Sequence, residues 1–280
     1  MTESRKLDLH FEVSGQGPPL ALLHGFLGSC ATWAGVIKDL GRSHTCIAID
    51  LPGHGRSPAP REPEDYRMKA CVAGIRSVME RTGAVRPAIL GYSMGGRIAL
   101  SLALHYPAEV SALVLESASP GVENQDERDV RRRADDNLAA KLEAEGISSF
   151  LDVWEQQPIF ASQARLPERT RAEVRAERMR TSVVGAANAL RELSQGRTAP
   201  LWEQLPLLTS RTLTIAGEDD EGYCDTTLRI AQTAPNCEAA IVARAGHNTH
   251  LEQPDLFVRA VIEFLERDES PERTHTHGTA

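Results

Sequence analysis

Apolar residues along this chain gather into short blocks that alternate with longer amphipathic stretches. Leu20-Ala21-Leu22-Leu23, Thr45-Cys46-Ile47-Ala48-Ile49, Ala88-Ile89-Leu90, Arg211-Thr212-Leu213-Thr214-Ile215-Ala216 and Ala239-Ala240-Ile241-Val242-Ala243 each have the length of a strand. Continuous apolar runs of this kind suit strands buried on both faces, as in a parallel sheet. The alternation of strand and helix runs from the N-terminus to about Leu115 and resumes near Arg211, which predicts one α/β core interrupted by a long insertion. Residues 7–13 alternate apolar and polar, as an edge hairpin strand would. The insertion reads as helical around 127–144, 147–155, 168–180 and 185–193, with Pro158, Pro167 and Pro200 as breaks. The expected organisation is a core from 1–120 and 206–267, a helical lid over 121–205, and a disordered tail at 268–280, which is polar and aperiodic.

One junction in this pattern carries chemistry. Gly91-Tyr92-Ser93-Met94-Gly95-Gly96 follows the strand at Ala88-Ile89-Leu90 and opens the helix-like run from Arg97 to Leu104. A serine on a sharp strand-to-helix turn stands exposed at a helix N-terminus, where free N–H groups stabilise developing negative charge. Two later strand ends offer its partners. One strand leads to Gly217-Glu218-Asp219-Asp220 and the other to Gly246-His247-Asn248. Asp220 is the expected acid, three residues past the glycine that ends its strand. His247 is the expected base, with His250 as its rival. The chain order Ser93, Asp220, His247 resembles that of the α/β-hydrolase fold and differs from the orders on other triad folds. His24-Gly25-Phe26-Leu27-Gly28, at the end of an early strand, is placed to supply one oxyanion N–H from Phe26, with the second from Met94. His54, in the tight loop after Asp50, reads as structural.

Composition narrows the class. With 31 Lys and Arg against 39 Asp and Glu, the net charge is −8, which argues against nucleic acid as the main partner. No apolar run approaches the roughly 18 residues of a membrane span, and the first residues lack a hydrophobic signal core, so a cytoplasmic location is expected. The five cysteines are scattered without metal-ligand spacing, and no dinucleotide or phosphate loop is present, so neither metal nor cofactor is expected.

Against the acidic balance, the insertion is rich in arginine: Arg131, Arg132, Arg133, Arg175, Arg178 and Arg180. The planar guanidinium fork suits carboxylates. Arginine is also favoured over lysine along the whole chain, and most lid arginines would simply be solvated. Arg97 is different, because it lies one helical turn after Ser93, on the same face. It would hold an anionic group beside the reacting centre, or else pair with a carboxylate at the helix start.

Together, the elbow with its arginine, Glu116-Ser117-Ala118-Ser119-Pro120-Gly121, Trp154-Glu155-Gln156-Gln157-Pro158-Ile159-Phe160-Ala161-Ser162, Leu201-Trp202 and Gly246-His247-Asn248-Thr249-His250-Leu251-Glu252 resemble the 2-succinyl-6-hydroxy-2,4-cyclohexadiene-1-carboxylate synthases of menaquinone biosynthesis. The resemblance extends over about residues 24–265. It implies an elimination: an activated serine takes a proton from a succinyl-bearing enolpyruvyl cyclohexene carboxylate, and pyruvate leaves. It further implies a small substrate with several carboxylates, and substrate contacts from Tyr92, Arg97, Arg131, Trp154 and Arg180. The chain departs from the family where Gly222-Tyr223 replaces the usual lysine and phenylalanine after the acid, and where Gln195-Gly196-Arg197-Thr198-Ala199-Pro200 replaces a threonine-glycine phrase. Both departures bear on the substrate more than on the machinery. A hydrolase of esters, lactones or carbon–carbon bonds, and a ligand receptor on the same fold, are the competing classes. Oligomeric state is not legible.

Overall fold

The computed structural model describes residues 7–267; the tail expected at 268–280 lies outside the described residues. Seven strands form one sheet: β1 (Phe11–Gly15), β2 (Pro19–Leu23), β3 (Thr45–Ile49), β4 (Ala88–Tyr92), β5 (Ala112–Glu116), β6 (Arg211–Gly217) and β7 (Cys237–Val242). Their spatial order is β1-β3-β2-β4-β5-β6-β7, parallel throughout except for β1. The edge strand is therefore not half of a hairpin with its chain neighbour. β2 already has β3 and β4 on its two sides, so β1 pairs antiparallel with β3 instead.

The helices are α1 (Ile37–Leu40), α2 (Met68–Thr82), α3 (Met94–His105), α4 (Gln125–Trp154), α5 (Glu168–Arg178), α6 (Val183–Glu192), α7 (Glu221–Thr233), α8 (Thr249–Glu252) and α9 (Pro254–Glu266). Alternate residues of each strand feed different faces of the sheet. Ala21, Leu23, Ile47, Ile49, Ile89 and Leu115 pack with Ile75 of α2, Ile98 of α3 and Ile230 of α7. Leu20, Leu22, Ala48, Leu90 and Val114 pack on the other face with Trp33 and with Phe257, Val261 and Phe264 of α9. Each fully buried side chain of this size contributes about 1.5–3 kcal/mol, so both faces hold the strand ends in fixed positions.

Between β5 and β6 the chain leaves the sheet for α4, α5 and α6. Helix α4 carries one break at Gly146 (φ 78°, ψ 173°), where the pattern of apolar residues also divides it. Asn124 caps α4 by accepting from the Glu127 N–H, and Ser182 caps α6 by accepting from the Gly185 N–H. Ala139, Leu142, Phe150 and Leu151 of α4 meet Ala186, Ala187 and Leu190 of α6 in a small core of their own, which also takes in Leu27. The two connections to the sheet are tied together. Leu201 N–H donates to the Pro120 carbonyl (2.8 Å) and Trp202 Nε1 to that of Gly121 (2.9 Å). Among the described residues no helix is long and apolar enough to cross a membrane.

Candidate active site

Ser93 sits between the end of β4 and the start of α3 with φ 50° and ψ −110°, a strained conformation for a residue with a side chain. The surrounding glycines relieve crowding rather than supply the turn. A Cβ on Gly95 would run into the carbonyl oxygens of Leu23 and His24, and one on Gly96 into Ala118. Helix α3 can therefore be drawn close against β2 and β5 only without those side chains.

Around the serine, the loops after β6 and β7 bring two partners within hydrogen-bonding range. Ser93 Oγ lies 3.0 Å from His247 Nε2, and His247 Nδ1 lies 2.7 Å from Asp220 Oδ2. With Nδ1–H donating to the carboxylate, Nε2 is the free acceptor for the serine hydroxyl. Asp219 turns the other way and pairs with Arg165 of the insertion. The imidazole is walled by the rings of Tyr223 (4.6 Å between centroids), Tyr92 (5.5 Å) and Phe160 (6.2 Å).

His250 belongs to a separate pair. Glu116, fully buried at the end of β5, accepts from Thr249 Oγ1 (2.6 Å), His250 N–H (2.9 Å) and His250 Nδ1 (2.7 Å). One carboxylate thus pins the segment that follows His247 to the sheet. It was visible in sequence as the single charged residue ending an otherwise apolar strand.

Phe26 and Met94 line the same cavity as Ser93, Phe26 in the loop after β2 and Met94 at the first position of α3. A helix-initial N–H has no intrahelical acceptor, so Met94 presents a free donor there. The loop bearing Phe26 is held by His24, whose Nδ1–H donates to Gly25 O (2.7 Å) while Nε2 accepts from Leu51 N–H (2.9 Å). Burial lowers the His24 pKa, which keeps the ring neutral and able to do both. His54 beside it is driven down to about 3 by burial and by its neighbour His24, and its Nδ1 bonds Pro52 O. Both rings are struts.

The cavity above Ser93 has a volume of about 750 Å³ and is lined from both sides. Arg97 enters from α3. Its Nη1 donates to Leu193 O (2.7 Å) and Nη2 to Thr198 Oγ1 (2.6 Å); neither bond goes to a carboxylate. Burial pulls its pKa down to about 10, so the buried guanidinium remains charged at neutral pH. Arg131 on α4 is half exposed and turns its Nε to both oxygens of Asp135 (2.9 Å each). Trp154 ends α4 stacked on Phe150 and edge-on to Phe26 (5.1 Å). Arg180 is at the rim, 77% exposed and paired with Glu177 (3.1 Å). Two residues earlier, Arg178 reaches deeper, only 11% exposed, against Phe160 and Glu155. Glu177 also accepts from the Ser29 hydroxyl, joining α5 to the loop that carries Phe26. Arg178 was one of many arginines in the insertion, and nothing local distinguished it; Tyr223 and Gln195, also in the wall, had only their departure from a family pattern to mark them.

A family model for the alpha/beta hydrolase fold matches residues 18–254. A 2-succinyl-6-hydroxy-2,4-cyclohexadiene-1-carboxylate synthase of Salmonella paratyphi C is 30% identical over 91% of this chain and 97% of its own length. A Bacillus subtilis protein that carries the same name as a provisional assignment is 36% identical over 92% of this chain and 95% of its own. The solved structure of MenH from S. aureus superposes with a TM-score of 0.88 at 32% identity, covering 91% of this chain and 97% of that one. The chain therefore belongs to the α/β-hydrolase fold family and, within it, to the family of these synthases.

Proposed function

We propose that this protein eliminates pyruvate from a cyclohexene carboxylate bearing a succinyl group and an enolpyruvyl ether, giving 2-succinyl-6-hydroxy-2,4-cyclohexadiene-1-carboxylate. The observation that carries this is the pairing of Ser93, hydrogen-bonded to His247, with a buried arginine that has no carboxylate of its own. A desolvated cation whose hydrogen bonds go to neutral oxygens is costly in a protein interior, and an anionic substrate supplies a direct counter-charge. A polycarboxylate therefore suits this cavity better than a neutral ester.

In the proposed reaction Ser93 Oγ passes its proton to His247 Nε2 as it takes a proton from the ring carbon next to the succinyl carbonyl. Asp220 stabilises the imidazolium that results. The electron pair left on carbon spreads to the ketone oxygen, and the N–H groups of Phe26 and Met94 are positioned to receive that charge. As the pair moves on into the ring, a new double bond forms, the existing one shifts and the carbon–oxygen bond to enolpyruvate breaks; the departing enolate takes, on carbon, the proton that His247 gives up and becomes pyruvate. The step is redox-neutral, so no electron-carrying cofactor enters it. Arg97 and Arg131 hold substrate carboxylates, Arg180 guards the rim, and Tyr92 and Trp154 pack the ring.

Incubation with the enolpyruvyl cyclohexene acid is expected to release pyruvate, while a small activated ester is scarcely turned over. Rapid ester cleavage without pyruvate would reject the elimination.

A further inference from the structure

Tyr223 has no part in the proton transfer, yet its phenol stands in the cavity wall. It lies in the first turn of α7, three residues past Asp220, with its ring edge-to-face on His247. Arg97, Arg131, Gln195 and Ser93 line the same cavity. The phenol hydroxyl carries one proton that it can donate. Burial raises the phenol above its ordinary range, even with Arg97 and Arg131 pulling the other way, so it keeps that proton at neutral pH.

A third donor in the same wall would add to the hold of the two cations on a carboxylate. Arg97 spends one nitrogen on Leu193 O and another on Thr198 Oγ1, and Arg131 spends its Nε on Asp135. A carboxylate drawn between them still has lone pairs to satisfy. We infer that the Tyr223 hydroxyl donates a hydrogen bond to the substrate carboxylate held by Arg97 and Arg131, and so helps select an anionic oxygen acceptor at that point of the ring. The inference rests on the elimination reading for the identity of the substrate, but not for the existence of a carboxylate-binding cluster.

Tyr223→Phe removes the hydroxyl and keeps the ring against His247. The expected result is a rise in KM for the enolpyruvyl cyclohexene acid on the order of tenfold, with kcat within about twofold, since a hydrogen bond to a charged group is lost. Calorimetric titration with 2-succinylbenzoate, a stable aromatic mimic of the product, should show a matching loss of affinity. An unchanged KM and affinity overturns the inference. So does a fall in kcat alone, which would mean that the tyrosine works only by packing on His247. If the wild type binds the mimic more tightly than Tyr223→Phe but releases no pyruvate, the elimination reading fails and the hydroxyl contact stands; a wild type that does neither overturns both.

Discussion

The cavity has two walls built by different means. On the sheet side, Ser93, His247, Asp220 and Arg97 hang from strand ends and α3, all packed into the two large clusters that cover the sheet. Arg97 is hydrogen-bonded to neutral oxygens, His247 to the Asp220 carboxylate, and the carboxylate that anchors the His247 loop, Glu116, is wholly buried. The insertion side has a smaller core of its own, between α4 and α6, and surface ion pairs around it: Arg175 with Asp152 and Glu155, Arg191 with Glu143, Arg197 with Asp136. Exposed pairs of this type contribute little each, typically 0–1 kcal/mol. The difference teaches that Ser93, His247, Asp220 and Arg97 are positioned by the large cores of the sheet, whereas Arg131, Trp154, Arg178 and Arg180 sit on an element with a smaller core and more exposed contacts.

The largest effect should come from the sheet-side wall. Ser93→Ala and His247→Ala are each expected to lower pyruvate release by 100-fold or more, on the order seen when a triad member is lost, with the thermal midpoint nearly unmoved. Residual turnover within tenfold of wild type would remove the serine from the chemistry. Arg97→Met comes next. KM for the anionic substrate should rise on the order of 10- to 100-fold, while stability holds or improves, because a desolvated cation has been replaced by an apolar chain of similar length. A loss of stability with KM intact would instead make Arg97 a structural tie between α3 and the Leu193 carbonyl.

Glu116→Gln probes the frame without touching the cavity. It should cost about 1–3 kcal/mol in denaturant unfolding through the loss of charge-assisted bonds to Thr249 and His250. No change in unfolding would show that the loop is held elsewhere. The smallest effect is expected at the insertion's rim: Arg180→Ala should alter KM by less than about threefold, and Arg178→Ala by more than that, measured side by side. If Arg180→Ala matched Arg97→Met, the contrast between the two walls would be lost.

Much of the frame was legible because it is local. Strand ends can be read from apolar blocks, and the elbow from glycines whose spacing lets α3 approach β2. Asp220 and His247 follow from position relative to those ends. The antiparallel pairing of β1 with β3 was not legible, since it depends on which side of β2 was already occupied. Nor was the choice among lid arginines, because adjacent turns of one helix look alike until packing decides which face turns inward.

Sequence alone determined the chain order of Ser93, Asp220 and His247, the strands that carry them, and an arginine one turn beyond the serine, because each is a matter of spacing along a single element and its neighbour. Only the tertiary structure decided that Arg97 lacks a carboxylate, that Glu116 and His250 form a pair of their own, and that Tyr223 closes over the imidazole. Burial and counter-charge arise from residues distant in the chain, and no local pattern records them.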